Sequence, residues 1–197
     1  EKQNAIGLPP LKETDAYPAN PESSYGWSKL MGEYECELAQ SQGAINSTVL
    51  RFHNVYGPAS DLTPERSQVI PALCRKAINY PSEQFVVWGS GKQRRTFLFV
   101  EDAVKALFCA LERGGGDGVI QIGTHYSQSI SEIAEIIVRL SQKDIAIHYD
   151  PSKPEGDVDR TPDLSRAKKV LNWSPSVSIS EGLEITYRWA KKEIDSC

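Results

Sequence analysis

Apolar side chains recur at helical spacing in the segment from Ser23 to about Gln42. Four of them stand at positions i, i+4, i+7 and i+11: Trp27, Met31, Tyr34 and Leu38. This spacing predicts one apolar stripe on a helix, which Gly43 ends. The run STVLRF that follows, over 47–52, is dominated by β-branched and apolar residues and predicts a short buried strand. A helix followed directly by a strand is typical of α/β proteins.

Helices and short strands continue to alternate along the rest of the chain. The pattern predicts helices over 69–79, 101–113, from the Ser129–Glu132 capping box onwards, 164–171 and 180–194. It predicts strands over 85–88, 96–100, 119–123 and 145–149. We expect 85–88 and 96–100 to form a hairpin or an adjacent pair, and 53–68 to be a long loop. This alternation favours a largely parallel sheet covered by helices.

In two of these helices the spacing of apolar residues predicts which side chains enter the core. The helix over 101–113 is expected to turn the following residues inward: Val104, Leu107, Phe108 and Leu111. The last helix is expected to do the same with Leu183, Tyr187, Ala190 and Ile194.

Composition narrows the class of protein. The 197 residues are 40% hydrophobic and 24% charged, with a net charge of -4, as in ordinary globular domains. No basic block is dense enough to follow a nucleic acid backbone, and no apolar run has the length of a membrane span, so we expect neither partner and a cytoplasmic protein. Cys36, Cys74, Cys109 and Cys197 are widely spaced and predict neither a metal site nor a disulfide framework. Because the first residue is not methionine, we expect a piece of a longer chain.

Tyr25 and Lys29 are the sharpest candidate for chemistry. Positions i and i+4 place a phenol and an ammonium on one helix face, and a phenol becomes a useful base when a nearby positive charge stabilises its phenolate. The spacing alone is weak evidence, because Tyr149 with Lys153 and Tyr187 with Lys191 repeat it. The first pair alone stands at a helix start beside a strand. Taken alone, such spacing is more often structural than catalytic.

Four segments carry a resemblance to a known family: PESSYGWSK (21–29), LRFHNVYGP (50–58), WGSGKQRRTFLFVEDAV (88–104) and PEGDVDRTPDLSRAKKVLNWSP (154–175). In this order and spacing they resemble the C-terminal half of extended short-chain dehydrogenase/reductases, the NAD-dependent nucleotide-sugar epimerases and dehydratases. Within that family, the segments RFHNVYGP, CRKA and the YGxxK helix are most similar to the GDP-mannose 3,5-epimerases. The resemblance implies the C-terminal part of a doubly wound, largely parallel Rossmann-type fold with a smaller α/β substrate-binding domain.

The resemblance also implies a division of the chain into five parts. These are a connecting loop (1–22), the last Rossmann elements with the YxxxK helix (23–68), a substrate-binding region (69–118), a returning Rossmann strand and helix (119–142) and a C-terminal substrate-binding region (143–197). NAD would be held mainly by an N-terminal half that precedes this chain, since no strand here leads through a glycine-rich turn into a helix. The implied partners are a nucleotide-sugar substrate and a second copy of the chain.

The family resemblance assigns the reaction to the first two motifs. Tyr25 would take a proton from a sugar hydroxyl while hydride leaves the same carbon, and Lys29 would hold the nicotinamide ribose. Phe52 would lie near the nicotinamide. Asn54 would contact the substrate, although without its motif an asparagine here is more often a loop cap.

Three further residues are implied in nucleotide binding. Gln93, Arg95 and Arg160 would face the nucleotide diphosphate, because planar guanidinium groups match phosphate oxygens. Without the motif, the basic run at 92–95 is more often a solvated turn.

One residue departs from the 3,5-epimerase pattern. That reaction needs extra acid/base groups, implied to be a cysteine before Glu1 and a lysine at the position of Gln68. A neutral amide abstracts no proton, so a 4-epimerase, a 4,6-dehydratase or another reaction through a 4-keto sugar stays open. A catalytically inert sugar-nucleotide-binding or assembly module is the alternative outside the enzyme class.

Overall fold

A computed structural model describes residues 9–21 and 23–196. The first eight residues of the predicted connecting loop, Glu22 and Cys197 lie outside this description. The described part of that loop contains one 3-10 turn, Glu13–Ala16. The helices are α1 (Ser24–Ser41), α2 (Val69–Asn79), α3 (Val100–Arg113), α4 (Ile130–Ser141), α5 (Ser165–Leu171) and α6 (Ile179–Asp195). The strands are β1 (Thr48–Phe52), β2 (Val55–Tyr56), β3 (Val86–Trp88), β4 (Arg94–Thr96), β5 (Leu98–Phe99), β6 (Gly118–Ile122), β7 (Ser127–Ser129), β8 (His148–Asp150) and β9 (Asp159–Arg160).

Parallel pairing dominates the strands, as the sequence predicts. β1 pairs with β6 over five residues, β2 pairs with β5 and β3 pairs with β8, all in parallel. β4 lies between β7, which is antiparallel to it, and β9, which is parallel. The fold is therefore α/β with mostly parallel strand pairs.

The predicted hairpin between 85–88 and 96–100 is wrong. β3 and β4 join different sheets because the intervening turn redirects the chain at Gly89 and Gly91, whose φ angles are +74° and +75°. A Cβ at Gly91 would lie 2.5 Å from Tyr149 Cε1 on β8, so the turn requires glycine there. The predicted loop over 53–68 also contains a strand, β2, which is only two residues long and too short to show a period.

Two apolar clusters hold the described residues together. The larger cluster joins α2, α4 and α6 to β3, with Phe85, Ile133, Ile137 and Leu183 fully buried. Leu183, Tyr187 and Ala190 are buried as predicted, while Ile194 is half-buried. The smaller cluster covers one face of the β1–β6 pair with α3 and α5. Each fully buried Ile, Leu or Phe side chain stabilises the fold by about 1.5–3 kcal/mol.

The predicted inner face of α3 is exposed in this chain. Leu111 is 82% exposed, and the other three predicted core residues are also exposed: Val104, Leu107 and Phe108. The helix instead packs through the small residues Ala103 and Ala106. Alanine lets α3 approach the β1–β6 pair closely, and the larger side chains lie beside the exposed edge of β1 rather than beneath the helix. With Leu50 and Phe52 they line an apolar groove of about 830 Å³.

This groove predicts the behaviour of the chain in solution. The apolar side chains Trp27, Met31, Tyr34 and Leu38 on α1 are exposed as well, and exposed apolar surface of this kind is typical of interaction sites. We expect the purified 197-residue chain to self-associate, and Leu111→Lys to weaken self-association about tenfold, because one buried leucine is lost. Light scattering over a concentration series measures this.

The control for this prediction is Tyr126→Lys, which changes an equally exposed apolar side chain outside the groove. It should leave self-association unchanged. A monodisperse monomer of the unmodified chain at high concentration would contradict the prediction.

Asp102, in the first turn of α3, fastens this helix to the segment before α6. Its carboxylate is 1% exposed and accepts hydrogen bonds from Ser176 N and Val177 N, both at 2.8 Å, and from Ser176 Oγ at 2.7 Å. Lys105 Nζ donates at 3.2 Å. Burial alone raises the pKa of Asp102, but these donors outweigh burial and hold the pKa below its ordinary value. The charged carboxylate is therefore the form that stabilises the fold.

Candidate functional site

A cavity of about 500 Å³ opens between the start of α2, β3 and β4. Three of the predicted substrate-binding residues line it together: Asn54, Gln93 and Arg95. They come from the segment after β1, the approach to β4 and β4 itself, so the fold joins residues that are up to 41 positions apart in the sequence. The cavity wall carries four cationic and two acidic side chains, whereas the whole chain is negative. This balance suits an anionic ligand.

Asn54 is held in place by β4 and β5. Its side-chain Nδ2 donates to the Thr96 backbone carbonyl oxygen at 3.0 Å, and the Asn54 backbone carbonyl oxygen accepts from Leu98 N at 3.1 Å. Asn54 therefore ties the segment after β1 to β4 and β5, and it also lines the cavity. The side chain bonds to a distant strand and not to its own loop, and its contact with the substrate stays a prediction.

Gln93 is buried beside the cavity with one unused polar atom. Its Nε2 donates to the Trp88 carbonyl oxygen at 3.1 Å, which fixes the orientation of the amide. Its Oε1 is buried and accepts no hydrogen bond within the part of the chain that the structure describes. A buried unsatisfied acceptor costs about 1–3 kcal/mol, so a donor from a bound ligand would stabilise this atom.

Arg95 and Arg160 are register partners on β4 and β9. Arg95 Nη1 donates to the Asp157 carbonyl oxygen at 2.6 Å and Nη2 to the Glu155 carbonyl oxygen at 3.2 Å. Burial lowers the pKa of Arg95, and the charge of Arg160 lowers it further. Arg160 itself bonds to the Asp157 carboxylate. Arg95 thus holds the 155–157 segment beside the cavity while keeping a charge that an anion would stabilise.

Lys76 lines the cavity and was missed by the sequence prediction. Its Nζ donates to the Val86 carbonyl oxygen at 2.6 Å. Burial lowers the pKa of Lys76, partly offset by Glu83. The spacing of Gln68, Ala72 and Lys76 at i, i+4 and i+8 places them on one face of α2, but only the structure shows that this face lines the cavity.

The predicted catalytic pair lies outside this cavity. Tyr25 is 70% exposed in the first turn of α1, and Lys29 Nζ lies 5.3 Å from the centre of its ring. The i, i+4 spacing therefore brings the two groups onto one face, as predicted. Phe52 is also exposed and lines the apolar groove beside α3. In this chain the three residues predicted to face the cofactor are all open to solvent.

A dinucleotide pyrophosphate is usually held by a glycine-rich turn between a strand and a helix. The glycine cluster 114–118 follows α3 and precedes β6, which is the reverse of the strand–turn–helix order that holds a pyrophosphate. Among the described residues, no glycine-rich turn joins the end of a strand to the start of a helix in that way. The assignment of Tyr25, Lys29 and Phe52 to the nicotinamide end of NAD stays a prediction from the family resemblance. Separately, no helix within 9–21 and 23–196 has the length and hydropathy to cross a membrane.

The chain is similar in sequence to a known protein family and to several of its members. The profile of the NAD dependent epimerase/dehydratase family matches residues 3–123. GDP-mannose 3,5-epimerase from Arabidopsis thaliana is 36% identical over 185 residues, covering 94% of this chain and 48% of the relative. GDP-L-fucose synthase 1 from the same plant is 31% identical over 191 residues, covering 94% of this chain and 59% of the relative.

Solved structures agree on the fold. UDP-glucose 4-epimerase from Thermotoga maritima, determined with UDP-glucose, superposes with a TM-score of 0.86 at 30% identity, covering 98% of this chain and 60% of the other. UDP-glucuronic acid 4-epimerase from Bacillus cereus, determined with UDP-glucuronic acid and NAD, gives 0.79 at 27% identity, covering 98% and 59%. The chain therefore spans about half to three fifths of the length of these proteins.

Proposed function

Since the chain belongs to the NAD dependent epimerase/dehydratase family, we propose that it is the substrate-binding part of a nucleotide-sugar epimerase or dehydratase that acts through a transient 4-keto sugar. The substrate is a GDP- or UDP-hexose. The observation that carries the proposal is the cation-lined cavity in which Asn54, Gln93 and Arg95 meet. Its volume of about 500 Å³ is in the range of small-ligand sites.

In this proposal the diphosphate binds at the basic side of the cavity. Arg95 and Lys76 supply the positive charge, with Arg160 beside Arg95, because charge-assisted hydrogen bonds to phosphate oxygens are the strongest available. Gln93 offers its free Oε1 to an N–H or O–H donor of the nucleotide sugar. Asn54 lines the cavity just after β1, the strand that ends with Phe52. Because Phe52 is assigned to the nicotinamide ring, Asn54 contacts the sugar end of the substrate.

The proposed chemistry belongs to Tyr25. Its phenolate oxygen takes the proton of the C4 hydroxyl while hydride leaves C4, which leaves a C4 ketone and a neutral phenol. Lys29, on the same face of α1, stabilises the phenolate and hydrogen-bonds the nicotinamide ribose, and Phe52 covers the ring. NAD, when bound, supplies the hydride acceptor. Most of its binding surface would come from residues outside this chain.

The step after formation of the C4 ketone depends on acid/base groups other than Tyr25. Gln68 lines the cavity as the N-cap of α2, where the 3,5-epimerase pattern has a lysine. An amide has no basic lone pair at neutral pH, so this chain lacks one of the acid/base groups of a double epimerisation. We propose epimerisation at C4 or 4,6-dehydration rather than a 3,5-epimerisation, in an enzyme that works as a homodimer.

A second candidate function is an inert nucleotide-sugar-binding or assembly module. The observation in its favour is that the cavity is formed without Tyr25. The product of the natural gene, incubated with NAD and GDP- or UDP-sugars, separates the two candidates. Conversion of the sugar supports the enzyme, and binding without conversion by the folded protein supports the module.

Arg95 provides the direct test of the cavity. We expect Arg95→Ala to weaken binding of the nucleotide sugar about thirtyfold, because both the charge and the support of the 155–157 segment are lost. Calorimetric titration measures this. The control is Arg94→Ala on the same strand, whose side chain bonds to Ser127 and Glu132 instead and should leave the Kd unchanged. An unchanged Kd in Arg95→Ala would contradict the proposed site.

A further inference from the structure

Arg75 lies in the middle of α2 and is 8% exposed. Its guanidinium reaches in two directions. Nη2 donates to Glu83 Oε1 at 2.8 Å, and Nε donates to the same carboxylate at 3.1 Å. Nη1 donates to the Leu62 carbonyl oxygen at 2.9 Å and to Ser67 Oγ at 3.0 Å. One buried side chain therefore connects the segment before α2 with the segment after it.

The segment before α2 forms one wall of the cavity. Residues 61–68, which we call the wall segment, contribute five consecutive lining residues, 64–68. The wall segment turns on itself, since Asp61 Oδ1 accepts from Thr63 N at 2.8 Å and Ser67 N donates to the Thr63 carbonyl oxygen at 3.0 Å. The Arg66 side chain is 78% exposed. The two bonds from Arg75 fix this turn against α2.

Arg75 has little capacity left for a ligand. A guanidinium has five N–H groups, and four of them point at Glu83, Leu62 and Ser67. The charge is balanced by the Glu83 carboxylate, which Asn79 Nδ2 also contacts at 3.3 Å. Although Arg75 borders the cavity, it acts through the wall segment and not on the ligand.

We propose that Arg75 is a positioning residue that holds the wall segment in its ligand-binding conformation. The proposal rests on the proposed function, because it takes the cavity to be the nucleotide-sugar site. A wall that is ordered beforehand spares the ligand the entropic cost of ordering it. Arginine is required because its planar fork bonds to both sides at once, whereas the ammonium of lysine satisfies one side only.

The test uses the natural gene product with GDP and UDP as probes. We expect Arg75→Lys to raise the Kd of the better-bound nucleotide about tenfold and the KM of the sugar nucleotide equally, with kcat changed less than twofold. Tryptic cleavage after Arg66 should become about tenfold faster without ligand, and a saturating nucleotide should restore protection. Destabilisation of the fold alone would not produce this ligand-dependent, local protection.

A second variant keeps the test informative if Arg75→Lys does not fold. Ser67→Ala removes one of the two bonds to the wall segment and should raise the Kd and the cleavage rate about threefold. Arg188→Lys is the matched control, because it changes an exposed arginine paired with Glu184 on α6. It should change neither quantity.

The outcomes separate the two proposals. A wild-type protein that binds neither nucleotide nor nucleotide sugar overturns the proposed function and the ligand assigned to the wall segment. The second outcome is that the wild-type protein binds the nucleotide, and Arg75→Lys or Ser67→Ala has the same Kd and the same cleavage rate as wild type. This result overturns the positioning role and leaves the proposed function standing.

Discussion

We expect Tyr25→Phe, made in the natural gene product, to lower kcat about a thousandfold, since positioned acid/base groups contribute about 10²–10⁴ to rate. The substitution removes one oxygen atom and leaves the ring. Tyr25 does not line the cavity, so the Kd for the nucleotide sugar should stay within about twofold of wild type. Steady-state kinetics and calorimetric titration of the same preparations measure the two effects. A loss of kcat without a loss of binding is the signature of a group that acts only in the chemical step.

The control is Tyr34→Phe, an exposed tyrosine on the same helix. It should retain full activity, which shows that removal of a phenolic oxygen from α1 is harmless in itself. A fully active Tyr25→Phe enzyme would refute the assignment of Tyr25 as the base. A Tyr25→Phe enzyme that no longer binds the nucleotide sugar would place this residue in substrate binding instead.

The second large effect concerns stability. We expect Asp102→Asn to lower the free energy of unfolding by about 2–3 kcal/mol, because the amide cannot accept all the hydrogen bonds from Ser176, Val177 and Lys105. The shape of the side chain is preserved, so the loss reports on hydrogen bonding and charge rather than on packing. Urea unfolding at neutral pH measures it.

The pH dependence gives an independent check. The pKa of Asp102 is lowered in the folded protein, so its stabilisation is fully present above the ordinary aspartate pKa of about 4 and is lost as pH falls through the lower folded pKa. The difference in unfolding free energy between wild type and Asp102→Asn should therefore shrink in strong acid. Glu101→Gln, the exposed neighbouring acid in the same helix turn, should change stability by less than about 0.5 kcal/mol. An equal effect of both substitutions would contradict the role of Asp102.

Local signals in the sequence determined the helices and their caps. The helix predicted over 69–79 has these bounds in the structure. The Ser129–Glu132 capping box is formed as predicted, with Ser129 Oγ accepting from Glu132 N at 3.1 Å. These features depend on contacts within four residues along the chain, so the sequence contains all of the interacting groups. Three of the residues that the family motifs single out, Asn54, Gln93 and Arg95, line the cavity, whereas Arg160 does not; their role in binding stays a prediction.

Tertiary structure alone decided which surfaces meet. Apolar residues occupy several sides of α3, so its periodicity did not reveal that Ala103 and Ala106 would face the sheet and Leu111 the solvent. Lys76 became a cavity residue only when α2 packed beside β3. The pairing of β3 with β8, 62 residues away, likewise depends on the close fit at Gly91 and Tyr149. Local periodicity is set by the geometry of one element, whereas the choice of packing partner depends on the shape and volume of side chains distant in the sequence.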